Sequence, residues 1–220
     1  MKHFSIGGIL PIAGAALSVT AGAATIFTGT FPVSAAIPDA DDVGISDTRN
    51  VSAAGLTNIQ LVTVTLNLTG GWNGDLYGYL VHSTGFSVLL NRPGRDIATP
   101  DGSASSGMSV TLADAAATDI HTAIPMSGGP VSGTYQPDGR TADPLVVLSS
   151  SPRTALLSSF DGLDANGSWT LFLADQSPGD VSTLSSWTLN IQGIPEPTST
   201  SLAAAVSLHF LARRRRDHIV

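Results

Sequence analysis

Phe160 to Ile191 reads FDGLDANGSWTLFLADQSPGDVSTLSSWTLNI, and its reading decides the fold because it carries two of the chain's three tryptophans and two clean alternating runs. From Gly167 to Leu173, GSWTLFL places Trp169, Leu171 and Leu173 on one face of an extended chain and Ser168 and Thr170 on the other. That two-residue period marks a strand buried on one side. Ser186 to Ile191, SWTLNI, repeats the pattern with Trp187, Leu189 and Ile191. Between the runs lies DQSPGD, Asp175 to Asp180, whose Pro178 and Gly179 form turns and whose length suits a loop rather than a tight hairpin. Two strands joined by a tip loop are expected at the centre of the protein.

Working outward, Asn58 to Thr69, NIQLVTVTLNLT, alternates Val62, Val64, Leu66 and Leu68 with Thr63, Thr65, Asn67 and Thr69. A helix of this composition would carry β-branched residues all round, which is unfavourable. Further strands are predicted over Ala24 to Phe31, Ile45 to Val51, Asp75 to His82, Phe86 to Asn91 and Met108 to Leu112. Gly78 marks a bulge or a close approach by a neighbouring strand. Ile37 to Asp42 is expected as a loop and Ala113 to Ala117 as a helical turn. Pro125 to Pro152, rich in Gly, Pro, Ser and Asp, is expected as a long surface loop with at most a short strand at Leu145 to Leu148. About eight short strands between Gly/Pro/Asp turns, with no helical period of useful length, predict an all-β antiparallel sandwich.

The ends read differently from the body. Met1-Lys2-His3, the apolar run from Phe4 to Val19 and the small residues Ala21-Gly22-Ala23 have the layout of a secretory signal peptide over residues 1–23, with cleavage after Ala23 or, second, Ala35. A membrane anchor fits less well, since the run is short and broken by Pro11 and glycines. The sandwich then occupies residues 24–193 and a tail residues 194–220. Between Ala24 and Ile194 five arginines stand against fifteen aspartates, with no lysine and no glutamate, so the body carries −10. Such a body is no partner for nucleic acid, which needs clustered cations. With no cysteine, disulfides are excluded and burial alone must hold an exported core.

Several segments in series carry a family resemblance. Ile37-Pro38-Asp39, the Ile59 to Leu68 strand, Gly74-Asp75-Leu76, Leu89 to Gly94, Gly133 to Pro137, and Asp164-Ala165-Asn166-Gly167-Ser168-Trp169 through Trp187 occur in that order. Together they resemble the P domain (P/Homo B) that follows the catalytic domain in subtilisin-like proprotein convertases. The resemblance implies a jelly-roll β-sandwich of galactose-binding-like shape, a module that in those enzymes stabilises or regulates an attached protease. At the C-terminus, Pro195-Glu196-Pro197, a mostly apolar stretch from Thr198 to Ala212 and Arg213-Arg214-Arg215-Arg216 resemble a PEP-CTERM sorting signal. This implies transient handling by an exosortase-type enzyme in a bacterium that makes extracellular polysaccharide. The physics suits it: about 15 apolar residues are few for a ~30 Å hydrocarbon core, and four arginines hold the terminus on the cytoplasmic side. Membrane contact is expected only through leader and tail.

Candidate chemistry is sparse. No Gly-x-Ser-x-Gly, His-Glu-x-x-His or Walker-type loop is present. Outside the ends the histidines are His82 and His121, read as sheet-edge or surface residues, so no catalytic residue is assigned and the chain is not expected to be an enzyme. Asp39, Asp41, Asp42, Asp75, Asp175 and Asp180 lie at loop ends and are the candidate ligands for calcium, which takes oxygen donors. The alternative is that they cap local turns. Trp72, between glycines in a turn, is the candidate exposed ring for carbohydrate. The reading is an exported, non-catalytic surface or extracellular-matrix protein; a carbohydrate-binding module for extracellular polysaccharide is the alternative, and a small hydrolase a remoter one.

Overall fold

The alternation of apolar and polar residues is realised as strands throughout a computed structural model that describes residues 25–193. In chain order these are β1 (Thr25–Ala36), β2 (Asp41–Val51), β3 (Ile59–Gly70), β4 (Leu76–His82), β5 (Gly85–Asn91), β6 (Ala104–Ser105), β7 (Met108–Leu112), β8 (Ser127–Gly128), β9 (Val131–Tyr135), β10 (Gly167–Asp175) and β11 (Ser182–Gly193). One α-helical turn, α1 (Ile120–Ala123), and two 3-10 turns, Asn73–Asp75 and Leu157–Phe160, interrupt them. One sheet has the order β1-β11-β3-β7-β9 and the other β2-β10-β4-β5, while β6 and β8 make a short parallel ribbon. The chain passes back and forth between the two sheets, and the result is the predicted all-β jelly-roll sandwich. Pairing is antiparallel except at the β6–β8 ribbon and between β7 and β9, which run parallel.

The core faces follow the alternation. Val62, Val64, Leu66 and Leu68 of β3, Trp169, Leu171 and Leu173 of β10, and Trp187, Leu189 and Ile191 of β11 are all buried. Each tryptophan also places its indole N–H on an oxygen: Trp169 donates to Ala165 O at 2.9 Å and Trp187 to Asp47 Oδ2 at 2.6 Å. Gly78 is both features at once. A Cβ there would lie 2.5 Å from Leu173 Cδ2, and the β4–β5 register shifts between Gly78 and Tyr79.

Four local expectations are corrected. β10 and β11 are not neighbours under a tip loop; they belong to opposite sheets, each in the interior of its own, and the intervening loop crosses the sandwich. Both tryptophans point inward from opposite sides, which alternation alone does not distinguish from a hairpin. The loop expected over Ile37 to Asp42 is shorter, because Ile37 is buried and donates its N–H to Ser182 O at 2.8 Å, while β2 begins at Asp41. Ala113 to Ala117 forms turns without a helix, and the helical turn follows Asp119, whose Oδ1 accepts from His121 N at 2.9 Å. Pro125 to Pro152 is no plain surface loop. It supplies β8 and β9, and its Asp138 and Gly139 donate backbone N–H groups to Leu89 O and Val88 O at 3.1 and 2.9 Å. This covers the otherwise open edge of β5, as sheet edges require. Leu145 to Leu148 is a turn rather than a strand, with Val147 buried and Leu145 and Val146 exposed.

Truncating either buried indole leaves a large cavity and an oxygen without its donor. Trp169→Ala and Trp187→Ala are each expected to cost roughly 3–5 kcal/mol, read from urea unfolding midpoints at unchanged m-value; unshifted midpoints would place the rings outside the core.

Candidate functional site

The end of the sandwich where β10 stops and β4 starts gathers part of the candidate set. The short turn Asn73–Asp75 sets Asp75 beside the terminus of β10, and Gln176 donates its N–H to Asp75 O at 2.8 Å. Asp75 and Asp175 are both buried there with Arg92. The Arg92 guanidinium donates to Gly74 O at 3.0 Å, Asp75 Oδ1 at 3.2 Å and Ser177 Oγ at 2.9 Å. Its backbone takes φ +50, a left-handed conformation that is uncommon outside glycine and signals that surrounding contacts hold it. Asp175 Oδ1 accepts from Ser177 N at 3.1 Å, whereas buried Oδ2 meets no donor. Burial, then the charge of Asp175, push the Asp75 carboxyl up to about 6, against the pull of Arg92. Burial likewise raises Asp175.

The remaining candidates are scattered over separate local tasks. Both carboxylate oxygens of Asp39 accept from Gly179 N, at 3.0 and 3.2 Å, tying the β1–β2 loop to the β10–β11 crossing. Asp41 Oδ1 accepts from Val43 N at 2.8 Å. Asp42 and Asp180 are exposed. Among the described residues no three histidine, aspartate or glutamate side chains are grouped as a metal ion would require. Asp41 and Asp175 thus do what aspartate does in turns, accepting from the backbone N–H two residues on, and Asp39 does so across the fold. Trp72 is 40% exposed in the turn before β4. The signal peptide and the sorting residues Pro195, Glu196, Pro197, Arg213, Arg214, Arg215 and Arg216 lie outside the described residues.

Neither histidine is at the surface, contrary to expectation. His82 stacks on Trp169 with ring centroids 4.1 Å apart and planes 1° apart, and its two nitrogens lie 3.0 Å from Ser168 O and 2.7 Å from Asp164 O. His121 sits in a buried charge network. Its Nδ1 is 2.8 Å from Asp138 Oδ2 and its Nε2 2.9 Å from Arg95 O, both acceptors. Burial opposes the imidazolium, but Asp138 and the Arg95 carbonyl outweigh it and raise His121 above its ordinary value. Arg140 joins the network, 3.2 Å from Asp138 Oδ1 and 2.8 Å from Asp119 Oδ2, and Arg153 donates to Gln136 Oε1 and Pro137 O at 2.7 Å. The sequence signal for it was the adjacent opposite charges of Pro137-Asp138-Gly139-Arg140 inside a segment whose one other charge is Asp143. The network fastens the segment over β5 and leaves neither histidine nitrogen free to act as a base.

No family model matches the chain, and no curated protein matches it. Solved structures similar to it include the serine protease of Aeromonas sobria, at 15% identity and TM-score 0.42, and that protease in complex with its chaperone (ORF2), at 16% identity and TM-score 0.44. Each match covers 80% of this chain, which spans 28% of the matched chain.

Asp75 holds a proton more tightly folded than unfolded, so its contribution to stability is complete below its unfolded value of 3.8 and is lost as pH rises through about 6. The unfolding free energy of wild type relative to Asp75→Asn is therefore expected to fall between about pH 4 and pH 6 and to level off above. Parallel urea titrations across that range check it; a constant difference would mean that Asp75 ionises as an exposed carboxylate does.

Proposed function

We propose that the chain is an exported, non-catalytic surface or extracellular-matrix protein, with one P-domain-like sandwich acting by binding or as structure. The observation that carries this reading is the order of segments along the chain: apolar leader, acidic sandwich, Pro195-Glu196-Pro197, apolar run, Arg213 to Arg216. A non-catalytic role is supported by the two histidines of the sandwich, whose four ring nitrogens all lie against oxygen acceptors within the fold. The tail is read transiently by an exosortase-type enzyme, and the processed protein resides at the bacterial cell surface or in its matrix. Among the described residues no helix is long and apolar enough to cross a membrane. The second reading, a module for extracellular polysaccharide, is favoured by the exposed ring of Trp72.

Calcium enters this proposal only as a stabilising ligand of the Asp75 and Asp175 pair. The support is the one Asp175 oxygen that no donor meets; carbonyl oxygens and waters would have to complete the shell. The expected result is a melting temperature raised by calcium chloride, lowered again by chelator and insensitive to both in Asp175→Asn. An identical midpoint with calcium and with chelator in wild type would remove the ion.

Intact-mass measurement on the surface-released protein tests the sorting reading. The mature chain is expected to lack both the leader and Arg213 to Arg216, and serine replacement of those four arginines is expected to leave unprocessed protein in the cell. Recovery of secreted protein that still carries the arginine cluster would overturn the reading.

A further inference from the structure

We infer that the outer face of the four-stranded sheet is a binding shelf for a neutral polysaccharide chain, built from Tyr77, Tyr79, Phe86 and Phe172. The biological setting rests on the matrix-protein reading above; the shelf itself rests on geometry.

Register assembles the shelf. Phe172 of β10 lies opposite Tyr79 of β4, and Val81, one step along the same face, lies opposite Phe86 of β5. Tyr79 stacks on Phe172 at 4.7 Å, tilts against Phe86 at 5.3 Å and meets Tyr77 edge-on at 6.0 Å, while Tyr77 meets Phe172 at 6.4 Å. All four rings are half-buried on a face turned away from the core. Beside them the Asn91 amide donates to Arg140 O and Ala142 O at 3.0 and 2.9 Å, so the segment fastened over β5 rises as a wall next to Tyr77, the residue opposite Asn91.

The hydroxyls say what the shelf is for. Among the described residues neither the Tyr77 nor the Tyr79 hydroxyl has a protein hydrogen-bond partner, whereas Tyr135 donates to Ser132 O at 3.3 Å. Burial, then the neighbouring Tyr79 and Asp138, raise the Tyr77 phenol above its ordinary value, which keeps it a donor. A pyranose ring presents an apolar C–H face with hydroxyls around its rim; aromatic rings answer the first and phenols, each donor and acceptor, the second.

Charge selects the class of polymer. The outward strand positions bordering the rings on the β2 and β10 side, Ser46, Thr48, Thr170 and Val81, are uncharged, and the charged side chain that acts on Tyr77 is the anionic Asp138 of the wall, in a body that carries fifteen aspartates against five arginines. An anionic polysaccharide meets a repulsive field with no cation on the shelf to offset it, and a neutral one does not.

Affinity electrophoresis of the full-chain protein through gels containing a soluble mixed-linkage β-glucan, or alginate as the anionic comparison, tests this. Retardation is expected in the glucan and not in alginate. Tyr79→Ala is expected to weaken it roughly tenfold, the loss of one aromatic contact and its hydroxyl. Tyr77→Phe/Tyr79→Phe keeps the rings and the fold while removing both hydroxyls, and is expected to weaken it roughly thirtyfold. Trp72→Ala is expected to leave it unchanged. Wild-type mobility unaffected by the glucan, or retardation undiminished in the double Phe variant, would overturn the shelf. Binding abolished by Trp72→Ala alone would also overturn it while leaving carbohydrate binding intact. Processing of the tail without glucan binding would overturn the shelf and leave the matrix-protein reading standing.

Discussion

The passage of the chain from one sheet to the other between Asp175 and Ser182 is the constraint on which the rest of the sandwich depends. It sets Trp169 and Trp187, consecutive tryptophans in sequence, on strands of opposite sheets, with the other four strands of the first sheet and the other three of the second placed around them. Aromatic side chains of this size dominate a core by the area they bury, on the order of 150–250 Å² each. The crossing is held at three points: Asp39 on Gly179 N, Arg92 on Ser177 Oγ and Asp175 on Ser177 N. Burying Asp75 and Asp175 beside Arg92 therefore has a structural purpose, since Arg92 and Asp175 anchor the start of the crossing, at Ser177, to the end of the four-stranded sheet. Its cost is visible in the raised carboxyl of Asp75.

The charges of the body are partitioned. Strands β1, β3, β7, β9 and β11 contain no charged residue, while β2 alone has Asp41, Asp42, Asp47 and Arg49. The five arginines between Ala24 and Ile194 are all engaged internally. Arg49 pairs with Asp47 at 2.8 Å, Arg92 with Asp75, Arg140 with Asp119 and Asp138, and Arg153 with Gln136. Arg95 donates to Val147 O at 2.6 Å and to Leu145 O. Each paired guanidinium takes an aspartate with it, so most of the remaining aspartates face outward almost without cations among them and the surface keeps the body's net negative charge. A protein without disulfides is cross-linked here by guanidinium groups instead.

What was legible in the sequence was whatever repeats every two residues. β3, β10 and β11 are buried as their alternation requires, and Gly78 sits where two strands come too close for a side chain. Sheet membership was not legible, because an inward-facing alternating strand looks the same whichever sheet it belongs to; hence β10 and β11 were expected as a pair. The cover over β5 was hidden for another reason. Asp138, Gly139 and Arg140 act through backbone groups and long-range ion pairs, such as His121 with Asp138, that leave no periodic trace. His82 was misplaced because its neighbours in sequence gave no sign that Trp169, 87 positions away, lay parallel to its ring. Six candidate aspartates could be found by type but not sorted, since capping a turn and binding a cation call for the same side chain.

The two outer faces of the sandwich differ in how they dispose of their polar groups, and this difference bears on which one meets a ligand. Across the five-stranded sheet, register aligns Thr30, Thr188, Thr65, Thr111 and Thr134 in one rank. These side chains serve one another: Thr30 with Thr188 at 3.0 Å and Thr65 with Thr111 at 2.9 Å, with Asn67 bridging Ser186 and Ser109 in the next rank. A hydroxyl already paired gains little by exchanging a protein partner for a ligand, because the net worth of such a bond is about 1 kcal/mol. The four-stranded sheet pairs Thr48 with Thr170 and leaves its two phenols open beside hydrocarbon. Apolar surface that stays half exposed next to unpaired donors has more to gain from contact than a face whose hydrogen bonds are closed within it.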